Sequence, residues 1–199
     1  MPSSPSRPSV LAGNPDLIGI YLNDHLAGAT GGTQLARRAA AAAGSTAASG
    51  DLRRFAAEVA HDRATLLQIM AALSLPVRHY KVYAAWIGEK ASRLKFNGHL
   101  TSRSPLSSLE ELEMLRLGVE GKAAGWRTLR VLAGQDPRLD PGQLDELIAR
   151  AQRQSGLLEE LRVRAAADVI ADQAQRGPGT PVPGRPSRAG PAQQHRNLR

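Results

Sequence analysis

Four long segments with apolar residues at helical spacing dominate this chain, and they are separated by two short connections and a long one. Helix-start and helix-stop residues place the segments at about 15–43, 51–74, 105–133 and 141–174. Short connections predict that the first pair and the last pair each form an antiparallel hairpin. The connection over residues 75–104 is long and partly helical in its spacing. The pattern predicts an all-α four-helix bundle with a long, partly helical crossover between helices 2 and 3.

The composition favours helices and excludes some kinds of site. Aromatic residues make up 4% of the chain, so the core must consist mainly of Ala, Leu, Val and Ile, which suits close-packed helices. The absence of cysteine excludes disulfides and thiolate metal sites. Neither a signal peptide nor a membrane span is evident, and we therefore expect a cytoplasmic protein without a membrane span.

The two ends differ from the middle in composition and charge. Residues 1–12 are rich in Pro and Ser, and residues 176–199 are basic and rich in Pro and Gly, so we predict a disordered tail on each side of a bundle domain at 13–175. Residues 1–9 (+1) and 176–199 (+5) supply 6 of the 8 net positive charges. The nearly neutral body argues against a general phosphate-binding face. A solubilising tail is the favoured interpretation, and contact with nucleic acid is the weaker one.

Helical wheels place several polar residues on or beside the apolar stripes. We predict a buried polar layer made of Asp24, His25, Asp62, Lys122, Gln154 and Ser155. Such a layer is either an ion-paired network that fixes helix register or a small polar pocket with His25 as acid, base or ligand. Glycines at positions 28, 31 and 32 lie on or beside the apolar face of the first segment. We expect them to let a neighbouring helix approach closely.

Glu58 and His61 have the Glu-x-x-His spacing of carboxylate-bridged di-metal sites on bundle helices. His61 falls roughly 140° from the centre of the apolar stripe, so the pair indicates a surface contact. A second Glu-x-x-His is absent. We predict no cofactor. The alternative is iron or manganese, with candidate ligands His25, Glu58, Asp62 and Glu111.

The long connection is strongly basic. Residues 75–104 have a net charge of +5, and residues 105–175 have a net charge of −3. The favoured interpretation is that the basic segment lies across the acidic hairpin. The alternative is a docking strip for an acidic protein, anionic lipid or RNA, formed by Arg78, Lys81, Trp86, Lys90, Arg93 and Lys95.

A likeness to known proteins lies in the segments NPDLIGIYLNDHLAG, EVAHDR, KVYAAWIGEKASRLK, PLSSLEELEMLRLGVEGKAAGW and DPRLD. Together they resemble a group of uncharacterised actinobacterial proteins of similar length, a resemblance that implies no activity. The helix order and long crossover also resemble the ferritin-like superfamily. That resemblance implies a ferritin-like topology and a di-iron oxidase or storage role.

Together these observations predict a non-enzymatic interaction or structural protein, with a protein partner or a second copy of itself. A ferritin-like metal-binding protein or oxidoreductase is the alternative. A nucleic-acid accessory protein is the weaker alternative.

Overall fold

The computed structural model describes residues 15–78 and 105–176, and within them the chain forms four α-helices and no strand. The helices are α1 (Pro15–Ala42), α2 (Ser49–Ala72), α3 (Pro105–Leu132) and α4 (Pro141–Arg176). The predicted all-α, four-helix architecture is confirmed for these residues. Residues 1–14, 79–104 and 177–199 lie outside the described residues, and they hold most of the predicted tails and crossover, including Lys81, Trp86, Lys90, Arg93 and Lys95.

Local side-chain chemistry explains where α4 begins. The Asp140 carboxylate accepts hydrogen bonds from the backbone N–H groups of Gly142 at 2.8 Å and Gln143 at 3.3 Å. These N–H groups have no partner inside the helix, and an aspartate at this position commonly supplies one. Pro141 then occupies the first helical position, where its missing N–H has no cost.

The end of α2 is a tight turn with a left-handed residue. Leu75 N–H donates to the Met70 carbonyl and Ser74 N–H donates to the Ala71 carbonyl, both at 2.9 Å. This pair of bonds is the Schellman arrangement, in which the residue after the helix has a positive φ. Ser74 takes that position with φ of 58°. The turn sends the chain from α2 towards the beginning of α1.

Neighbouring helices run antiparallel, since residues near the beginning of one contact residues near the end of the next. The contacts that show this are Asn23–Pro76 for α1 and α2, Tyr21–Thr128 for α1 and α3, and Arg130–Asp145 for α3 and α4. It follows that α2 and α3 run parallel to each other. The chain therefore leaves α2 at one end of the bundle and enters α3 at the other.

The core is made mainly of leucine and alanine, as the composition predicted. Its largest fully buried apolar side chains are Phe55, Leu22, Met70, Leu129, Leu144 and Leu158. Burying a side chain of this size stabilises a fold by about 1.5–3 kcal/mol. None of the described helices has the uninterrupted apolar length that a bilayer crossing requires.

Candidate functional site

A buried carboxylate in the middle of the bundle binds two cations. The side chain of Asp62, on α2, is 2% exposed. Lys122 Nζ, from α3, donates to Asp62 Oδ2 at 2.6 Å, and Arg150 Nη1, from α4, donates to Oδ1 at 2.7 Å. A buried carboxylate without partners would be strongly destabilising, so these ion pairs allow Asp62 to remain inside.

Gln154, on α4, extends the same network. Its Oε1 accepts a hydrogen bond from Lys122, and its Nε2 donates to Glu58 Oε2 at 2.8 Å. Two carboxylates, Glu58 and Asp62, thus balance the two cations. Burial lowers the pKa of Lys122, and the neighbouring Asp62 carboxylate opposes that shift. The balanced charges and shared hydrogen bonds make this cluster an internal cross-link between α2, α3 and α4.

Three members of the predicted polar layer lie elsewhere. Asp24 is exposed, in contrast to the prediction, because its place at the border of the apolar stripe turns its carboxylate outward. Ser155 is partly buried and donates to Glu120 at 2.6 Å, on the outer side of the α3–α4 contact. His25 is partly buried and packs against α3 rather than joining the Asp62 cluster. Only Asp62, Lys122 and Gln154 of the predicted six come together in this cluster.

Beside the cluster, the bundle contains a cavity of about 450 Å³ between α1, α2 and α3. Its wall is largely apolar, and it includes Leu22, Leu35, Phe55, Val59, Leu66 and Leu115. Asp62 and Lys122 form part of the lining, so the ion-paired cluster borders this space. Asp24 and Arg63 are the other charged residues of the lining.

Glycines of α1 and α3 form part of this wall, and three of them, Gly28, Gly118 and Gly121, are exposed. Five of them line the cavity: Gly28, Gly32, Gly118, Gly121 and Gly125. At the first four, a Cβ atom added to the backbone would meet nothing within 4 Å. Within residues 15–78 and 105–176, the expected close approach of a neighbouring helix is therefore wrong for Gly28 and Gly32.

Gly125 differs from the other four because it carries a close contact. A Cβ at Gly125 would lie 3.0 Å from Cε1 of His25, so the imidazole is seated directly on the α3 backbone. The Tyr21 ring packs edge-on against the His25 ring, with centroids 4.5 Å apart. Burial lowers the pKa of His25, while the nearby Asp24 carboxylate acts in the opposite direction. The ring is thus held in place and favoured in its neutral form.

Trp126 forms part of the same wall, with its indole N–H covered rather than at the cavity surface. Its side chain lines the cavity and is 3% exposed. The indole Nε1 is buried and makes no hydrogen bond within the described residues. Most buried N–H groups are paired, so an unpaired one needs an explanation.

The candidate metal ligands are not assembled into a site. Asp62 is bound by Lys122 and Arg150, and Glu58 by Gln154, while His61 is exposed. Glu111 lies partly buried on α3. Across residues 15–78 and 105–176, no three His, Asp or Glu side chains are grouped as metal ligands.

Arg78 is the described member of the proposed docking strip. Its side chain is exposed, and its backbone N–H donates to the Asn23 side chain at 2.8 Å. Asn23 is buried and also donates to the Pro76 carbonyl at 3.1 Å. These bonds fix the chain to α1 where it leaves α2.

Sequence reasoning missed Arg150, and it offered a small polar pocket at His25 as an alternative, whereas the cavity that His25 lines is largely apolar. Arg150 lies one helical turn before Gln154 on α4, so the two side chains project from the same face of the helix. That spacing could have indicated that Arg150 belongs to the cluster. No protein family, curated protein or solved structure matches this chain.

Proposed function

We propose that this chain is a non-enzymatic binding protein whose helical bundle receives a small, mainly apolar molecule in the cavity between α1, α2 and α3. The observation that carries the proposal is the cavity itself, about 450 Å³ in volume and lined by glycines from two helices. Cavities that bind small molecules are typically about 300–1,000 Å³ and mostly apolar, with a few polar groups.

The cost of the glycines supports this proposal. A glycine inside a helix destabilises it by about 0.5–1 kcal/mol relative to alanine. An added Cβ at Gly28, Gly32, Gly118 or Gly121 would contact no described residue within 4 Å, so none of these glycines is needed for close helix packing. All four line the cavity, and this shared position supports a ligand site.

The Asp62 cluster supports binding over metal chemistry. In a di-metal bundle, inward carboxylates bind the metal ions, whereas here Lys122 and Arg150 occupy both oxygens of Asp62.

Ferritin-like topology remains a proposal, supported by the helix order and by the parallel directions of α2 and α3. Iron or manganese binding, a protein partner, a second copy and nucleic acid remain predictions. Metal analysis of protein purified without chelator tests the first of these.

Filling the cavity tests the proposed function. We suggest titrating naphthalene into the protein and following the indole N–H signal of Trp126 by NMR, in a Trp86→Phe background that leaves one tryptophan. We expect saturable shifts in this parent and their loss in Gly118→Leu, which places a side chain in the cavity.

Gly156→Leu is the matched control. Gly156 also has nothing within 4 Å of an added Cβ, but it lies on α4 and does not line the cavity. The control should bind naphthalene as the parent does. Absence of binding to the parent, or equal binding by Gly118→Leu, would refute the proposed function.

A further inference from the structure

We propose that the cavity selects neutral molecules with one oxygen-bearing polar group, a hydroxyl or carbonyl, on an apolar body, and that His25 and Trp126 receive that group. This inference rests on the proposed function, because it assigns a chemical class to the ligand of the same cavity.

His25 is the first group available to such a ligand. The ring lines the cavity, and its position is fixed by the Gly125 backbone on one side and by Tyr21 on another. Neither ring nitrogen hydrogen-bonds to another described residue. A neutral imidazole has one donor and one acceptor nitrogen, so it can pair with either a carbonyl or a hydroxyl.

Trp126 is the second group, and it lies next to the residue on which His25 is seated. Its Nε1–H can only donate, and it has no acceptor within the described residues. Because the indole N–H is covered, a ligand oxygen can accept from it only after the ring turns the N–H towards the cavity. After that rotation, a hydroxyl that accepts from Trp126 and donates to His25 has no unpaired polar atom.

The charges in the lining argue against an ionic ligand. Lys122 is already bound by Asp62 and Gln154, so it offers no unpaired charge to a carboxylate. Arg63 Nε donates to the neutral Thr30 Oγ1 at 2.9 Å and Arg63 keeps its positive charge, but the lining as a whole holds two positive and two negative side chains and has no net charge to attract an ion. The exposed Asp24 carboxylate adds repulsion for an anion. A cation would find only the exposed Asp24 carboxylate, since both oxygens of Asp62 are taken, and Arg63 in the same lining would repel it.

A series of naphthalene, 2-naphthol and 2-naphthoate tests this selectivity at about pH 7.5, where His25 is neutral. We expect the parent to bind 2-naphthol about five- to tenfold more tightly than naphthalene, the effect of one added hydrogen bond. It should bind 2-naphthoate most weakly. In His25→Phe, which keeps a flat ring but removes both nitrogens, the ratio of the naphthol and naphthalene affinities should fall to about one.

Trp126→Phe provides a second variant, and the ratio should fall there as well. His61→Phe is the matched control, because His61 is exposed and does not line the cavity, so its loss should preserve the ratio. Equal affinities for naphthalene and 2-naphthol in the parent, tightest binding of 2-naphthoate, or an unchanged ratio in both variants overturns the inference while the proposed function stands. Failure of all three compounds to bind overturns both.

Discussion

Lys122 Nζ lies 2.6 Å from Asp62 Oδ2, and this ion pair joins α3 to α2 through the interior of the bundle. Both side chains are largely withdrawn from water, with exposed fractions of 14% and 2%. Arg150 adds a second ion pair from α4 to the same carboxylate. The α1–α2 hairpin is thus connected to the α3–α4 hairpin at one buried point.

Removing Lys122 should therefore be strongly destabilising. We expect Lys122→Met to lower the free energy of unfolding by about 3 kcal/mol, because Asp62 loses one of its two cations while it stays buried. Denaturant unfolding would measure this change. Arg130→Met removes a pair whose side chains are 41% and 60% exposed, and it should cost less than about 1 kcal/mol. Equal losses in the two variants would contradict this account of the cluster.

Replacing either of two glycines of α3 by alanine should change the free energy of unfolding, but in opposite directions. Gly121→Ala should raise the free energy of unfolding by about 0.5–1 kcal/mol, since the new methyl group meets nothing within 4 Å. Gly125→Ala should lower it by about 1 kcal/mol or more, since its methyl group would press on the His25 ring. Thermal or denaturant unfolding distinguishes them. The same sign for both would show that His25 is not seated on Gly125.

Stability should fall as the pH drops below the ordinary pKa of histidine. Burial lowers the pKa of His25 from 6.5, and Asp24 opposes the shift without reversing it. The unfolded chain then binds this proton more tightly than the folded chain. The free energy of unfolding therefore decreases as the pH falls from about 6.5 to the folded-state pKa.

Denaturant unfolding at about pH 7.5 and pH 5.5 would measure this effect. We expect a smaller pH dependence in His25→Phe than in the parent. His61→Gln, a change at an exposed histidine, is the control. An unchanged pH dependence in His25→Phe would count against His25 as its source.

Ser74→Gly should stabilise the fold. Ser74 has a φ of 58°, a conformation that glycine adopts without steric cost. We expect the free energy of unfolding to rise by about 0.5–1 kcal/mol. Ser74→Ala retains a Cβ and should change it by less than about 0.5 kcal/mol. A gain in the alanine variant equal to that in the glycine variant would exclude backbone conformation as the cause.

The helices could be predicted because their signals are local. Pro141 and the apolar spacing of α4 act within a few residues of the backbone that they order. Asp62, Lys122 and Gln154 could be placed inward for a similar reason, since the position of each on its own helix decides its direction. Arg150 was missed because a long side chain can reach a buried partner from the flank of a helix.

The cavity depends on distances between helices, which the pattern along one helix does not determine. Gly28 and Gly125 both line the cavity, yet an added Cβ would contact no described residue within 4 Å at Gly28 and would press on His25 at Gly125. The difference depends on which side chain of the facing helix lies opposite each glycine. The burial of Asp24 was wrongly predicted for a simpler reason. A side chain at the border of the apolar stripe can point inward or outward, and a charged one points to water.

The Asp62 carboxylate, which binds both Lys122 and Arg150, also affects how the protein unfolds. If one hairpin detached, it would expose the core leucines of both hairpins and break two buried ion pairs in the same event. Partial opening is therefore costly, and loss of structure should be cooperative. Amide hydrogens in α2 and α3 near this point should exchange with solvent only when the whole bundle opens.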